Sequence, residues 1–145
     1  MTSPFLRRKA RQYAVQGLYQ WQMTEAPIEE IIAEFIADNS PKKFDVTYFQ
    51  EILYGVIIQL ARVDESLQPH AKDRTLKSLD PIELAILRLA TFELLFKLDV
   101  PYRVIINEAV ELAKRFGATD GHKFVNGVLD HLAQDLRSVE AANKK

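Results

Sequence analysis

Arg7, Arg8, Lys9 and Arg11 place four cations within five positions, and the first acidic residue of the chain is Glu25. Guanidinium and ammonium groups at that density suit nucleic-acid phosphates or the carboxylates of an acidic partner. The helix dipole disfavours cations at an N-terminus by about 0.3–1 kcal/mol each, so a purely structural helix gains nothing from the run. A solvated, frayed helix start is the plain alternative. Tyr19 adds a second kind of chemistry. At about 100° per residue it falls nearly opposite Ala10 and Trp21, on an outward face shared with Arg8, Gln12 and Val15. An outward ring aligned with cations suits base stacking beside phosphate pairing. Packing against another part of the protein suits a tyrosine equally well.

A second cationic, aromatic helix start lies at 120–124. Asp120 is placed to cap a helix, and His122, Lys123 and Phe124 occupy its first turn, where free N–H groups and the dipole attract anions. Phe124 sits about 100° from the core-facing Val125, at the edge of the apolar stripe. A core-rim phenylalanine and a solvated lysine are the alternatives. Two such starts in one small protein are expected to meet in a single positively charged track.

Enzymatic chemistry finds little support. His70, His122 and His131 lack metal-ligand spacing, and the chain has no cysteine. The Gly117–Gly121 segment is neither a Walker loop nor a dinucleotide fingerprint. Glu108 and Glu111 share a helix face, but with Lys114 and Arg115 nearby they read as surface ion pairs. No catalytic, metal or cofactor site is expected.

The elements that position these groups read as helices throughout. A first helix over Pro4 to Met23 buries Ala10, Tyr13, Ala14, Gly17, Leu18 and Trp21. A short second helix begins near Pro27, and a third near Asp45 carries Phe49, Ile52, Leu53, Val56, Leu60 and Val63 on one face. Asp80-Pro81-x-Glu83 is a helix start signal, and the helix after it is apolar almost all round, hence central. Ile105, Ala109, Leu112, Ala113 and Phe116 stripe a sixth helix, which Gly117 is expected to end in the left-handed conformation. Val125, Val128, Leu129, Leu132 and Leu136 stripe the last one, with Gly127 expected at a close-packing position. The fold class is therefore all-α, with about seven helices.

Composition agrees with one folded domain. The chain of 145 residues is 48% hydrophobic and 27% charged, with a net charge of −1. Four charges inside Ile82–Leu98 mark that apolar window as a core helix rather than a membrane span. The basic N-terminus lacks the apolar run of a secretory signal, and the absence of cysteine suits a reducing cytoplasm.

INEAVELAK (106–114), FG (116–117) and KFVNGVLD (123–130) together resemble the NusB family of bacterial transcription antitermination factors. RRKARQYAVQGLYQWQ (7–22) looks like that family's arginine-rich first helix, and ILRLATFEL (86–94) like its central one. The resemblance implies a domain of residues 1–137 in two packed helical subdomains, about 1–67 and 68–137; residues 138–145 are expected to form a frayed tail. It implies a cytoplasmic factor that binds boxA-type single-stranded RNA in ribosomal RNA leader transcripts and acts in the RNA polymerase antitermination complex. It further implies the partner NusE, a small-subunit ribosomal protein. Carried over residue by residue, the RNA surface comprises Arg7, Arg8, Lys9, Arg11 and Tyr19, with Lys123, Phe124 and Asn126. Glu83 matches an acidic position assigned to the partner contact, to which His70 and Arg74 also belong, and Asp120 stands as the helix cap beside the RNA. A helical protein–protein scaffold whose basic face meets an acidic partner remains the rival.

Overall fold

A computed structural model describes residues 3–71, 74–138 and 140, which form helices and turns. Helix α1 (Pro4–Thr24) starts where the Ser3 hydroxyl accepts the Leu6 N–H at 3.1 Å, with Pro4 in the first turn. Helix α2 (Ile28–Asp38) follows Pro27, and α3 (Val46–Ile58) is capped by Asp45, whose carboxylate accepts the Tyr48 N–H at 3.0 Å. The third helix does not continue as one piece. It breaks at Gln59, and α4 (Leu60–Leu67) resumes before two 3-10 turns at Gln68–Ala71 and Leu76–Ser78. Asp80 then caps α5 (Pro81–Phe96) as its motif predicts, accepting from the Ile82 and Glu83 N–H groups at 2.9 and 3.1 Å. Helices α6 (Tyr102–Phe116) and α7 (Gly121–Leu136) complete the chain of elements.

Every residue of α5 from Glu83 to Leu94 is buried, and the helix packs against α1, α3, α4, α6 and α7. Its position follows from composition: a helix apolar on all sides lowers its free energy only when surrounded. Helices α1 and α5 run antiparallel. Arg11 meets Glu93 near one end, and the Gln22 side chain donates to the Pro81 carbonyl at 2.8 Å at the other. The face of α1 that carries Arg11 and Gln22 also carries Val15, which is fully buried rather than outward as expected. A single-stripe description of α1 fails because this helix has neighbours on two sides, α2 and α3 on one and α5 on the other.

Three backbone details depart from expectation. Gly117 is extended (φ −88°, ψ 179°) rather than left-handed; it is needed because a Cβ there would lie 2.7 Å from the Ala113 carbonyl oxygen. The left-handed helix stop is instead Glu25, at the end of α1, with φ 56°. Gly127 does not pack closely, since a Cβ there would meet nothing within 4 Å. A close-packing role inside a helix belongs instead to Gly55 of α3, where an added Cβ would come within 2.2 Å of the Phe92 ring.

The end of α5 is closed from afar. Arg137, just past α7, is buried and donates to the carbonyls of Glu93, Leu94, Lys97 and Val100 at 2.8–3.2 Å. The Leu94 carbonyl is one that a helix C-terminus leaves without an intrahelical donor; Glu93 and Lys97 also accept from the Lys97 and Val100 N–H groups, so Arg137 adds a second donor there. Ser138 and Glu140, in the segment expected to fray, are helical, and the Glu140 carboxylate accepts the Tyr102 N–H at 2.9 Å. Residues 139 and 141–145 lie outside the described residues.

The two glycines give opposite expectations. Gly127→Ala should stabilise the protein by about 1 kcal/mol through helix propensity alone. Gly55→Ala should destabilise it by about 1–3 kcal/mol through overpacking against Phe92. Urea unfolding of both variants checks the pair.

Candidate nucleic-acid interface

Successive residues of a helix point about 100° apart, so a basic run of five positions cannot form one patch. Arg11 turns inward. It stands three residues before Ala14 and seven before Leu18, within the buried face, and its side chain is 4% exposed. Its guanidinium grips the Glu93 carboxylate (2% exposed) with bonds of 3.0 and 2.8 Å, and the Tyr48 hydroxyl donates to the same carboxylate at 2.5 Å. Burial works against the Arg11 charge, but the bonds and charge of Glu93 hold its pKa above the ordinary value. Burial, then the Glu93 charge, likewise pushes the Tyr48 phenol up. Arg11 is thus corrected from a surface cation to half of a buried ion pair.

Its neighbours fan outward. The Arg7 guanidinium lies 4.0 Å from the centroid of the Tyr48 ring, and its buried Nε has no hydrogen-bond partner among the described residues. Lys9 points to the far side of α1, 5.4 Å from the Tyr13 ring. Arg8 faces α6, where its Nε and one terminal nitrogen clasp the Glu108 carboxylate at 3.0–3.2 Å. Glu108 is therefore not a surface partner of Lys114 or Arg115. It is largely covered and also lies 3.9 Å from Arg11.

Between the starts of α1 and α6 runs a groove of about 840 Å³, lined by Pro4, Arg7, Arg8, Val104 and Asn107 among others. Past Gln12 it continues into a depression of about 380 Å³ beside Leu112, Lys114 and Arg115. Lys114 and Arg115 are exposed there, and sequence reasoning missed them because a pairing within α6 accounted for their charges. Tyr19, half-buried, falls about 20° around α1 from Arg8 and roughly 16 Å further along.

The start of α7 is built differently from expectation. Asp120 is left-handed (φ 67°) and makes no side-chain cap, because that backbone swings its carboxylate away from the helix N–H groups. The carboxylate instead lies 3.4 Å from Lys123 Nζ. The acid that meets this helix start comes from α5: a Cβ on Gly121 would stand 2.3 Å from Glu83 Oε2. Glu83 is accordingly buried, not presented on an open face, and burial, then the Asp80 charge, raises its pKa. The Arg74 guanidinium covers the Phe124 ring at 4.9 Å, joining an expected partner residue to an expected RNA residue. Asn126 is exposed, and His70 Nε2 reaches Asp135 of α7 at 3.3 Å. The two basic helix starts do not meet. One sits by Glu93 and the other by Glu83, ten residues and roughly 15 Å apart along α5. The α1–α6 groove is lined from α1, α6 and the turn before α6, and no α7 residue borders it.

Among the described residues no group of three or more His, Cys, Asp or Glu is arranged to hold a metal ion, and no helix is long and apolar enough to cross a membrane. The family model described as the NusB family matches residues 8–134. The chain belongs to the NusB family. It is similar to the transcription antitermination protein NusB of Pseudomonas savastanoi pv. phaseolicola, 55% identical over 139 residues that cover 96% of this chain and 84% of the relative. The T. maritima NusB structure aligns with a TM-score of 0.82 at 32% identity, covering 92% of this chain and 93% of that one. A crystal structure of antitermination factors NusB and NusE in complex with dsRNA shares the fold, with a TM-score of 0.81 at 22% identity over 92% of this chain and 99% of that one. Within the matched residues, the bond of Glu108 to Arg8 fixes α6 against α1.

The buried pair sets stability. Glu93→Ala leaves Arg11 only the 3.9 Å contact with Glu108 and should cost about 3–5 kcal/mol. Tyr48→Phe should cost about 1.5–3 kcal/mol at neutral pH through loss of a hydrogen bond to a charged group. Because the fold raises the Tyr48 pKa above its usual 10.0, the stability it supplies is complete below about pH 10 and falls away as pH climbs beyond it. The gap between wild type and Tyr48→Phe should therefore narrow above pH 10, as followed by denaturant unfolding at stepped pH.

Proposed function

We propose that this chain is an RNA-binding transcription antitermination factor that takes up boxA-type single-stranded RNA of ribosomal RNA leader transcripts. In this reading it acts in the cytoplasm, pairs with NusE, and joins the RNA polymerase antitermination complex. Its curated relatives carry the antitermination name, and a chain of the same fold is described in complex with NusE and dsRNA.

The observation that carries the reading is Arg7. Its guanidinium is held 4.0 Å from the centre of the Tyr48 ring and lines the groove; because its Nε is buried, the terminal nitrogens are the donors that a phosphate would meet. A guanidinium held in place with donors to spare suits a phosphate oxygen. Arg8, Lys114 and Arg115 add cations along the same groove, interspersed with Asp99, Glu108 and Glu111. Tyr19 stands half-buried along α1, and Lys123 and Asn126 stand exposed beside Phe124, where a base would replace the Arg74 guanidinium to stack on the ring. Affinity should rest largely on phosphate pairing, so its logarithm should fall with log salt by about 0.7 per phosphate neutralised on a single strand.

Anisotropy titrations of a labelled single-stranded boxA RNA, set against a duplex of the same sequence and repeated with NusE, test this directly. Arg7→Ala should weaken binding about tenfold, or ~1.4 kcal/mol. RNA affinity that ignores both salt and Arg7 would leave the protein–protein scaffold as the better account.

Asp120 supplies a second expectation. Asparagine tolerates its left-handed backbone, so Asp120→Asn should leave stability near wild type while freeing Lys123. RNA binding should then tighten by roughly two- to threefold, consistent with loss of a weak exposed ion pair. Weaker binding in the same titration would place the RNA away from α7.

A further inference from the structure

The acid Glu108 poses a problem for an RNA surface. It lies in the groove and takes both donors of one edge of Arg8, the most exposed arginine of the α1 run, whose side chain is 56% exposed against 13% for Glu108. Two outcomes are physically open: competition with phosphate, or orientation of the guanidinium toward it. Geometry separates them. A guanidinium has two edges able to form paired hydrogen bonds, and Glu108 occupies the one containing Nε. The other edge makes no hydrogen bond among the described residues. Glu108 is also held from behind, with Arg11 at 3.9 Å, so its displacement would strip a covered carboxylate of its partner.

Resting on the RNA-binding reading above, the geometry points to Glu108 as a positioning residue that locks Arg8 with its free edge presented to an RNA phosphate. A long arginine chain loses rotamer freedom when it binds, and one already fixed loses less. Opposing this is the repulsion between Glu108 and the phosphate, which solvent and salt screen at an exposed site. Positioning wins on that balance. Removal of a carboxylate from a nucleic-acid surface should then weaken binding, the reverse of what net charge alone dictates.

The test uses the full chain with the same labelled single-stranded boxA RNA across a salt series. Glu108→Ala should weaken binding roughly three- to tenfold and make the salt slope shallower by about 0.7, the share of a single phosphate. Glu111→Ala is the control, since Glu111 lines the same groove and acts on Arg8 through charge alone, without a hydrogen bond to it, while pairing with Lys114. It should leave the slope unchanged and affinity equal or higher. Glu108→Gln, which keeps one acceptor oxygen for Arg8, should restore most of the affinity. Should Glu108→Ala fail to fold, Arg8→Lys keeps the charge but loses the two-pronged grip, and it should weaken binding nearly as much as Arg8→Ala.

Tighter binding with a steeper slope in Glu108→Ala, or a wild-type-like Arg8→Lys, overturns the positioning role. If the wild-type chain binds this RNA with salt-dependent affinity and Arg7→Ala weakens it, that failure is confined to Glu108. Absence of such binding in the wild type removes the RNA reading itself.

Discussion

A carboxylate buried in the last turn of the most enclosed helix must find a positive partner or lose its charge. Glu93 finds Arg11, and the rest of the architecture follows from where that partner has to come from. Arg11 belongs to α1 and Tyr48, the second donor to Glu93, belongs to α3, so one buried anion fixes three helices at a point. Arg7 then stacks on the same tyrosine, and Arg8 turns to α6. A chain of charge and ring interactions thus starts at the centre and ends at the surface groove.

This arrangement divides the labour within the basic run. Arg11 is structural, Lys9 leans on Tyr13 at the far side, and Arg7 and Arg8 line the groove. The unfavourable placement of cations at a helix start is offset internally: Glu93 and Glu108 from α5 and α6 neutralise two of them. The groove is consequently a set of fixed guanidinium planes rather than a cloud of loose positive side chains. Fixed planes suit a ligand with defined oxygen positions.

Helix number, helix starts and the enclosed place of α5 were legible in the sequence because apolar spacing and capping residues are local signals. Asp45, Asp80 and Pro81 act where their motifs place them. What escaped were pairings between elements. Val15 is buried because α1 has neighbours on two sides, which no single-helix periodicity encodes. Arg11 was recoverable: its register with Ala14 and Leu18 puts it inward, and Glu93 in an apolar helix asks for a cation. Tyr48 carried no such mark. Asp120 deceived because capping was inferred from residue type while its backbone is left-handed, and Gly117 and Gly127 exchanged their expected reasons with Glu25 and Gly55. Glu83 on Gly121 is a pairing of distant positions that one sequence cannot display.

The arginine past α7 has a bearing on how the molecule is made. Its donors close carbonyls synthesised up to 44 residues earlier, at the end of the helix on which every other helix but α2 rests. During translation the core helix therefore emerges with its end closed only by local backbone bonds, and the second set of donors arrives when residue 137 has left the ribosome. Amino-terminal helices can gather around Glu93 beforehand. Locking of the finished molecule is a late event, timed by the tail of the polypeptide rather than by its head.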